Sequence, residues 1–257
     1  MTEERTTSTQ AALDIGLSTD VGRVREANED ALLAVRPDGA RDGQVLVAVA
    51  DGMGGHKAGE VASALAIESM RRALDEIDAS ATTDALLRYG AELGNRTIWD
   101  AAAVDLDREG MGTTLVCALL TADGEAVIAN VGDSRAYAYV GGASTLRTSD
   151  HTWVNEQVLA GQFTEDDART SPFRNLLTRA LGTTPTVEVD LFSGLHLEVG
   201  DALILVSDGV TGYLDEHDPS AVLREAATAQ EAAERIVEEA VQRGGADNAT
   251  AVVVRRR

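Results

Sequence analysis

The chain has 257 residues, 44% hydrophobic and 25% charged, which suits one large globular domain or two small ones. Its formal net charge of −21, from 43 acidic against 22 basic residues, repels nucleic-acid phosphates and anionic membrane surfaces and attracts cations. The acidity serves either solubility or the binding of metal ions.

Residues 1–10 are polar, rich in Thr and Glu, and read as a disordered leader without the apolar core of a signal peptide. No Pro/Ser-rich linker, repeat or low-complexity block follows, so residues 11–257 are expected to form one domain. Short β-like runs dominate: Ala31–Val35, Val45–Ala50, Thr113–Leu120, Ala126–Val131, Ala136–Val140, Val187–Phe192, Ala202–Val206 and Ala249–Val254. Asp123-Gly124 and Gly141-Gly142 each sit between two such runs and predict hairpins, hence antiparallel pairing.

Helical spacing fills the intervals. Val61, Leu65, Met70, Leu74 and Ile77 predict a helix over 58–77, and Leu87, Ala91 and Ile98 a second over 84–102. A third is expected over 230–242, stopped by Gly244-Gly245. Strands pairing with sequence neighbours, plus a few long helices, give an α+β fold: two packed antiparallel β-sheets flanked by helices. No run approaches the roughly 20 apolar residues of a membrane span. The one cysteine, Cys117, lies in an apolar run, so no intrachain disulfide is possible, as suits a reducing cytoplasm.

Aspartates fall at the ends of the most apolar runs. Val45–Ala50 enters Asp51-Gly52, Val127–Val131 enters Gly132-Asp133, Leu203–Val206 enters Ser207-Asp208-Gly209, and Asp247-Asn248 precedes Ala249–Val254. A lone Asp-Gly after a strand is ordinary turn chemistry. Repetition at several buried strands is different, because one sheet edge can bring the carboxylates together. At about 4 Å such a pair repels by roughly 4 kcal/mol at an effective dielectric near 20, so the group must bind protons or cations. With four histidines and one cysteine in the chain, an all-oxygen site for Mg²⁺ or Mn²⁺ fits better than zinc.

The segment Asp51-Gly52-Met53-Gly54-Gly55-His56-Lys57 lets backbone approach a ligand closely and opens a helix whose N-terminus favours an anion. The Walker spacing is absent. Upstream, Thr19–Asp30 mixes arginines and carboxylates before a strand. It reads either as a solvated loop or as a phosphate-gripping arginine beside a metal-binding acid.

Together these blocks resemble a family. The Arg25–Asp30 block ending in Asn-Glu-Asp, Asp51-Gly52-Met53-Gly54-Gly55-His56, Gly112-Thr113-Thr114, Gly132-Asp133-Ser134-Arg135, Ser207-Asp208-Gly209 and Asp247-Asn248 are similar, in order and rough spacing, to the metal-dependent serine/threonine protein phosphatases of type 2C, in their compact bacterial form. The resemblance runs from about residue 12 to the C-terminus. It implies a β-sandwich with a dinuclear Mn²⁺ or Mg²⁺ centre at one end, acting on phosphorylated proteins. Asp51 would bridge both ions, with the Gly52 carbonyl on one. Asp208 and Asp247 would hold the other, and Glu29 would support the centre directly or through water. Asp133 with Asp208 would supply a third, weaker ion site.

On this reading a metal-bridging hydroxide attacks phosphorus in line, Arg25 clamps the phosphate and His56 protonates the departing oxygen. His56 could instead pack structurally at the helix start, and His151 in Asp150-His151-Thr152 is expected to make structural hydrogen bonds. Residues 164–181 correspond to a variable flap. There Ser171-Pro172-Phe173-Arg174 departs from the His-Pro-x-Arg of many bacterial relatives, which puts a conserved flap role in doubt. The expectation is a stand-alone monomeric catalytic unit opposing serine/threonine kinases, in the cytoplasm on its cysteine usage and without a nucleic-acid or membrane partner on its charge. Two other readings stay open: a non-catalytic relative that binds phosphoproteins, and a hydrolase of small phosphate esters or a phosphodiester.

Overall fold

Alternation inside the apolar runs decides the architecture. A computed structural model describes residues 12–54, 58–214 and 218–257; the expected leader at 1–10 lies outside the described residues. In strand β3 (Val45–Met53), Val45, Val47 and Val49 face one hydrophobic core, while Leu46, Ala48 and Ala50 face another. Both faces are covered, so the run is continuously apolar rather than alternating with polar residues. Each valine or leucine side chain so removed from water stabilises the fold by about 1.5–3 kcal/mol.

Two antiparallel sheets result. One has the order β1 (Leu13–Asp20), β11 (Ala249–Arg256), β10 (Ala202–Val206), β7 (Arg135–Val140), β8 (Ala143–Leu146). The other runs β2 (Asp30–Val35), β3, β5 (Leu115–Leu120), β6 (Glu125–Val131), β9 (Asp190–His196), with the short β4 (Gly112–Thr113) also on β3. Their inner faces share a core of Val47, Val116, Ile128, Leu203, Leu205, Val252 and neighbours. Helices α1 (Ala58–Glu76) and α2 (Thr83–Val104) cover the outer face of the second sheet through Met70, Leu87 and Ile98. Helices α6 (Asp218–Glu225) and α7 (Ala229–Arg243), with the short α5 (Asp208–Thr211), cover the first. The expected α+β sandwich of two antiparallel sheets between helices is the observed fold.

Both predicted hairpins form, β5 with β6 and β7 with β8. Two elements differ from expectation. The run placed at 187–192 enters the sheet only at Asp190, because its partner β6 ends at Val131, one residue beyond the Asn130–Asp190 pair. The run placed at 113–120 is broken at Thr114, whose N–H donates to the Asp51 carbonyl at 2.9 Å. Strand β1 adds full-length pairing with β11, tying Leu13 to Arg256. Helices α3 (Trp153–Leu159) and α4 (Glu165–Thr170) fold the segment between the sheets around a contact of the Trp153, Phe163 and Phe173 rings. Among the described residues no helix is long and apolar enough to cross a membrane.

Candidate metal centre

Antiparallel pairing brings strand exits and entries to one edge. At one end of the sandwich the exits of β3, β6 and β10 meet the entries of β2, β7 and β11, so Asp30, Asp51, Asp133, Asp208 and Asp247 are gathered at that end. Asp30 is the register partner of Asp51. The Asp51 and Asp208 carboxyls lie within hydrogen-bonding reach of each other. Across the two sheets, Ser207 Oγ donates to Asp30 Oδ2 at 2.8 Å.

Electrostatics follow from this crowding. Burial, then the charges of Asp30, Asp208 and Asp133, hold the Asp51 carboxyl well above the usual carboxylate range. Burial followed by repulsion from Asp208 pushes Asp133 up to about 7, and burial pushes Asp30 up to about 6. Asp208 is raised by burial and then by Asp247. Glu29 is raised chiefly by burial.

Two arginines border the group, each paired with one carboxylate. Arg25 Nη2 lies 2.7 Å from Asp247 Oδ2, and Arg135 holds Asp150 through Nε and Nη2 at 2.9 and 2.7 Å. Asp30, Asp51, Asp133 and Asp208 make no ion pair of their own among the described residues.

Local sequence explains how each group is held. The Thr114 hydroxyl accepts from the Asp51 N–H at 3.0 Å, fixing the exit of β3. Asn248 straps the arginine loop: its Nδ2 donates to the carbonyls of Val21 and Ala27 at 3.0 and 2.9 Å, and its Oδ1 accepts from the Glu29 N–H at 2.8 Å. Gly52 has backbone pressed against it; a Cβ there would fall 2.1 Å from the Gly59 carbonyl oxygen at the start of α1.

The expected site residues divide as follows. Asp51, Asp133 and Asp208 form one group; Glu29, Arg25 and Asp247 form a second beside it. Gly52 joins them through the Glu29 carbonyl, which accepts its N–H at 3.2 Å. His56 lies outside the described residues. His151 is buried and hydrogen-bonded to Gly132. Arg174 is exposed, and its guanidinium makes no hydrogen bond among the described residues. The sequence reading did not single out Asp30, which joins the first group. The available signal was its place as the first residue of a strand pairing with the strand that ends in Asp51.

This donor set fits divalent cations. It is all oxygen, several carboxyls are pushed toward protonation by one another, and the buried Asp30 Oδ1 has no hydrogen-bond partner. Among the described residues no three His, Cys, Asp or Glu side chains are already assembled in metal-holding geometry. Asp247 is turned onto Arg25, and Asp30 accepts from Ser207.

Comparison with known proteins gives the family and the fold. Residues 22–244 match the family model described as protein phosphatase 2C. The serine/threonine phosphatase stp of Listeria monocytogenes is 39% identical over 245 residues, spanning 93% of this chain and 94% of that protein. The solved structure of the S. agalactiae serine/threonine phosphatase superposes with a TM-score of 0.88 at 35% identity, covering 96% of this chain and 100% of that one. The catalytic domain of the serine threonine protein phosphatase PstP, solved with 2 manganese ions, gives a TM-score of 0.80 at 32% identity, with 96% and 99% covered.

Proposed function

Since the chain belongs to the protein phosphatase 2C family and is a serine/threonine protein phosphatase, we propose that its strand-end carboxylates hold two divalent cations, Mn²⁺ or Mg²⁺, for hydrolysis of phosphoserine and phosphothreonine on proteins. The observation that carries this reading is the gathering of Asp30, Asp51, Asp133 and Asp208 with their carboxyls raised by burial and mutual repulsion.

Asp51, the Gly52 carbonyl, Asp208 and Asp247 would hold the two ions, with Glu29 in support and Asp133 with Asp208 offering a third, weaker place. When bound, a pair of such ions makes water acidic enough to supply hydroxide near neutral pH. The protein's own groups do the rest. Arg25, half exposed at the rim, presents a planar fork that suits phosphate oxygens and fixes the ester for in-line displacement. Asn248 holds the backbone on both sides of Arg25, which limits how far that fork can wander. The proton for the departing oxygen is assigned to His56 on the sequence pattern alone.

The proposal extends to residues 11–257 acting as one catalytic domain, supported by the β1–β11 ladder that joins the start of the described chain to its end, and to that domain working as a monomer. It also includes opposition to serine/threonine kinases in the cytoplasm, in line with a lone, buried cysteine. Turnover of p-nitrophenyl phosphate, a phosphothreonine peptide and a phosphotyrosine peptide, with Mn²⁺ and then with chelator, tests the reading. Chelator-sensitive turnover of the phosphothreonine peptide over the phosphotyrosine peptide is expected. Phosphopeptide binding without turnover would replace the reading with a binding module, and turnover of the small ester alone would replace it with a small-ester hydrolase.

A further inference from the structure

Asp133 stands in the turn between β6 and β7, and the chain around it is gripped on both flanks. The Gly132 N–H donates to His151 Nδ1 at 2.9 Å, and the His151 N–H donates back to the Gly132 carbonyl at 3.0 Å. Ser134 Oγ lies 2.7 Å from Thr114 Oγ1, and Arg135 is held bidentately by Asp150. Asp150 and His151 are neighbours, so one dipeptide fixes the residues before and after Asp133.

The imidazole geometry is specific. Because Nδ1 accepts from a backbone N–H, the ring proton resides on Nε2, which lies 3.2 Å from Asp190 Oδ2 and 3.0 Å from Arg179 Nη1. Asp190 is itself held by Arg179 Nη1 at 2.6 Å. Gly132 has φ +107°, and a Cβ there would fall 2.7 Å from Thr114 Cβ, so the peptide is wedged from below while His151 holds it from the side. The His151 side chain is only 8% exposed, and its ring nitrogens are occupied by these contacts. Its reach to the chemistry is through the Gly132 peptide.

We infer that His151 is a positioning residue for Asp133, acting through the hydrogen bond from the Gly132 N–H to Nδ1. This rests on the proposed reading of Asp133 as a cation ligand. Without the acceptor, a buried N–H is left unmet and the turn has reason to rotate, carrying the Asp133 carboxylate off its aim. Loss of such outer partners weakens metal binding by about 10–100-fold.

The test is a calorimetric titration of Mn²⁺ into the chelator-stripped full chain, comparing wild type with His151→Asn, His151→Gln and Asp133→Ala. The Asn Oδ1 is bonded to Cγ as Nδ1 is and can accept from Gly132. Gln carries its carbonyl one bond further out and leaves that N–H unmet. Asp133→Ala is expected to abolish the weakest binding phase, His151→Gln to weaken it about tenfold, and His151→Asn to stay within about threefold of wild type, with unchanged far-ultraviolet dichroism throughout.

Gln and Asn variants that both bind as wild type, or that are weakened alike, overturn the inference alone. An Asp133→Ala titration identical to wild type overturns the reading of Asp133 and the inference together. Should His151→Gln fail to fold, wild type alone decides. Titration with Mg²⁺ should shift the His151 Nδ1 nitrogen resonance in step with the weakest binding phase, and an unmoved resonance overturns the inference.

Discussion

The Arg25 guanidinium lies 2.7 Å from the Asp247 carboxylate, a residue 222 positions later in the chain. The two groups are half and one-third exposed, so the pair adds little to stability. Its interest is competition: in the proposed function Arg25 holds phosphate and Asp247 holds a cation, and here each occupies the other.

Arg25→Ala therefore has two expected effects of opposite sign. The KM for a phosphothreonine peptide rises by about 10-fold or more, the worth of a charge-assisted bidentate contact, while kcat changes less. Mn²⁺ affinity measured without substrate rises modestly, because Asp247 loses its competing partner and a repelling cation is gone. Steady-state kinetics and calorimetry check the two halves separately, and a fall in Mn²⁺ affinity would contradict the competition.

Asp51→Asn and Asp208→Asn are expected to remove turnover, while the chelated proteins are at least as heat-stable as wild type. Each substitution deletes a charge that its neighbours already repel. Thermal melts in chelator, beside the phosphopeptide assay, distinguish this from simple unfolding; a marked drop in Tm for either variant would contradict it.

The same crowding sets a pH dependence. Asp30 and Asp133 are raised to about 6 and about 7, so the folded state binds their protons more tightly than the unfolded chain does. Their contribution to stability is fully present below about pH 4 and is lost as pH rises through 6 to 7. The chelated wild type should accordingly lose stability over this window relative to an Asp30→Asn, Asp133→Asn double variant, whose amides do not titrate. Adding Mn²⁺ should reverse the loss for wild type by mass action. Urea unfolding at several pH values measures the difference, and parallel curves would refute it.

Gly52→Ala should destabilise the chelated protein by about 1–3 kcal/mol, the usual range for forced overpacking. The new Cβ would meet the Gly59 carbonyl oxygen at 2.1 Å and the Glu29 carbonyl oxygen at 2.7 Å, backbone that cannot swing aside as a side chain can. Urea unfolding in chelator reads it, and an unchanged midpoint would show that β3 and α1 are less tightly joined than described.

Much of this was legible in the chain because strand ends and turns are local events. Apolar runs with aspartates at their exits located β3, β6 and β10, and Gly-containing pairs located both hairpins. Asp30 was missed because its role depends on register: only the pairing of β2 with β3 sets it opposite Asp51. Strand β1 was missed although Leu13, Ile15 and Leu17 alternate with Asp14, Gly16 and Ser18, because the strands were sought as continuous apolar runs and its place is set by β11, at the far end of the chain. The strap made by Asn248 was likewise hidden, since its three backbone partners lie more than two hundred residues away in sequence.

The most direct measurement is an anomalous-scattering map from a crystal of the full chain soaked in Mn²⁺. The account predicts two strong peaks bounded by Asp51, Asp208 and Asp247, with the Asp247 carboxylate released from Arg25. A map with Mn²⁺ bound elsewhere and none among those three aspartates would contradict it.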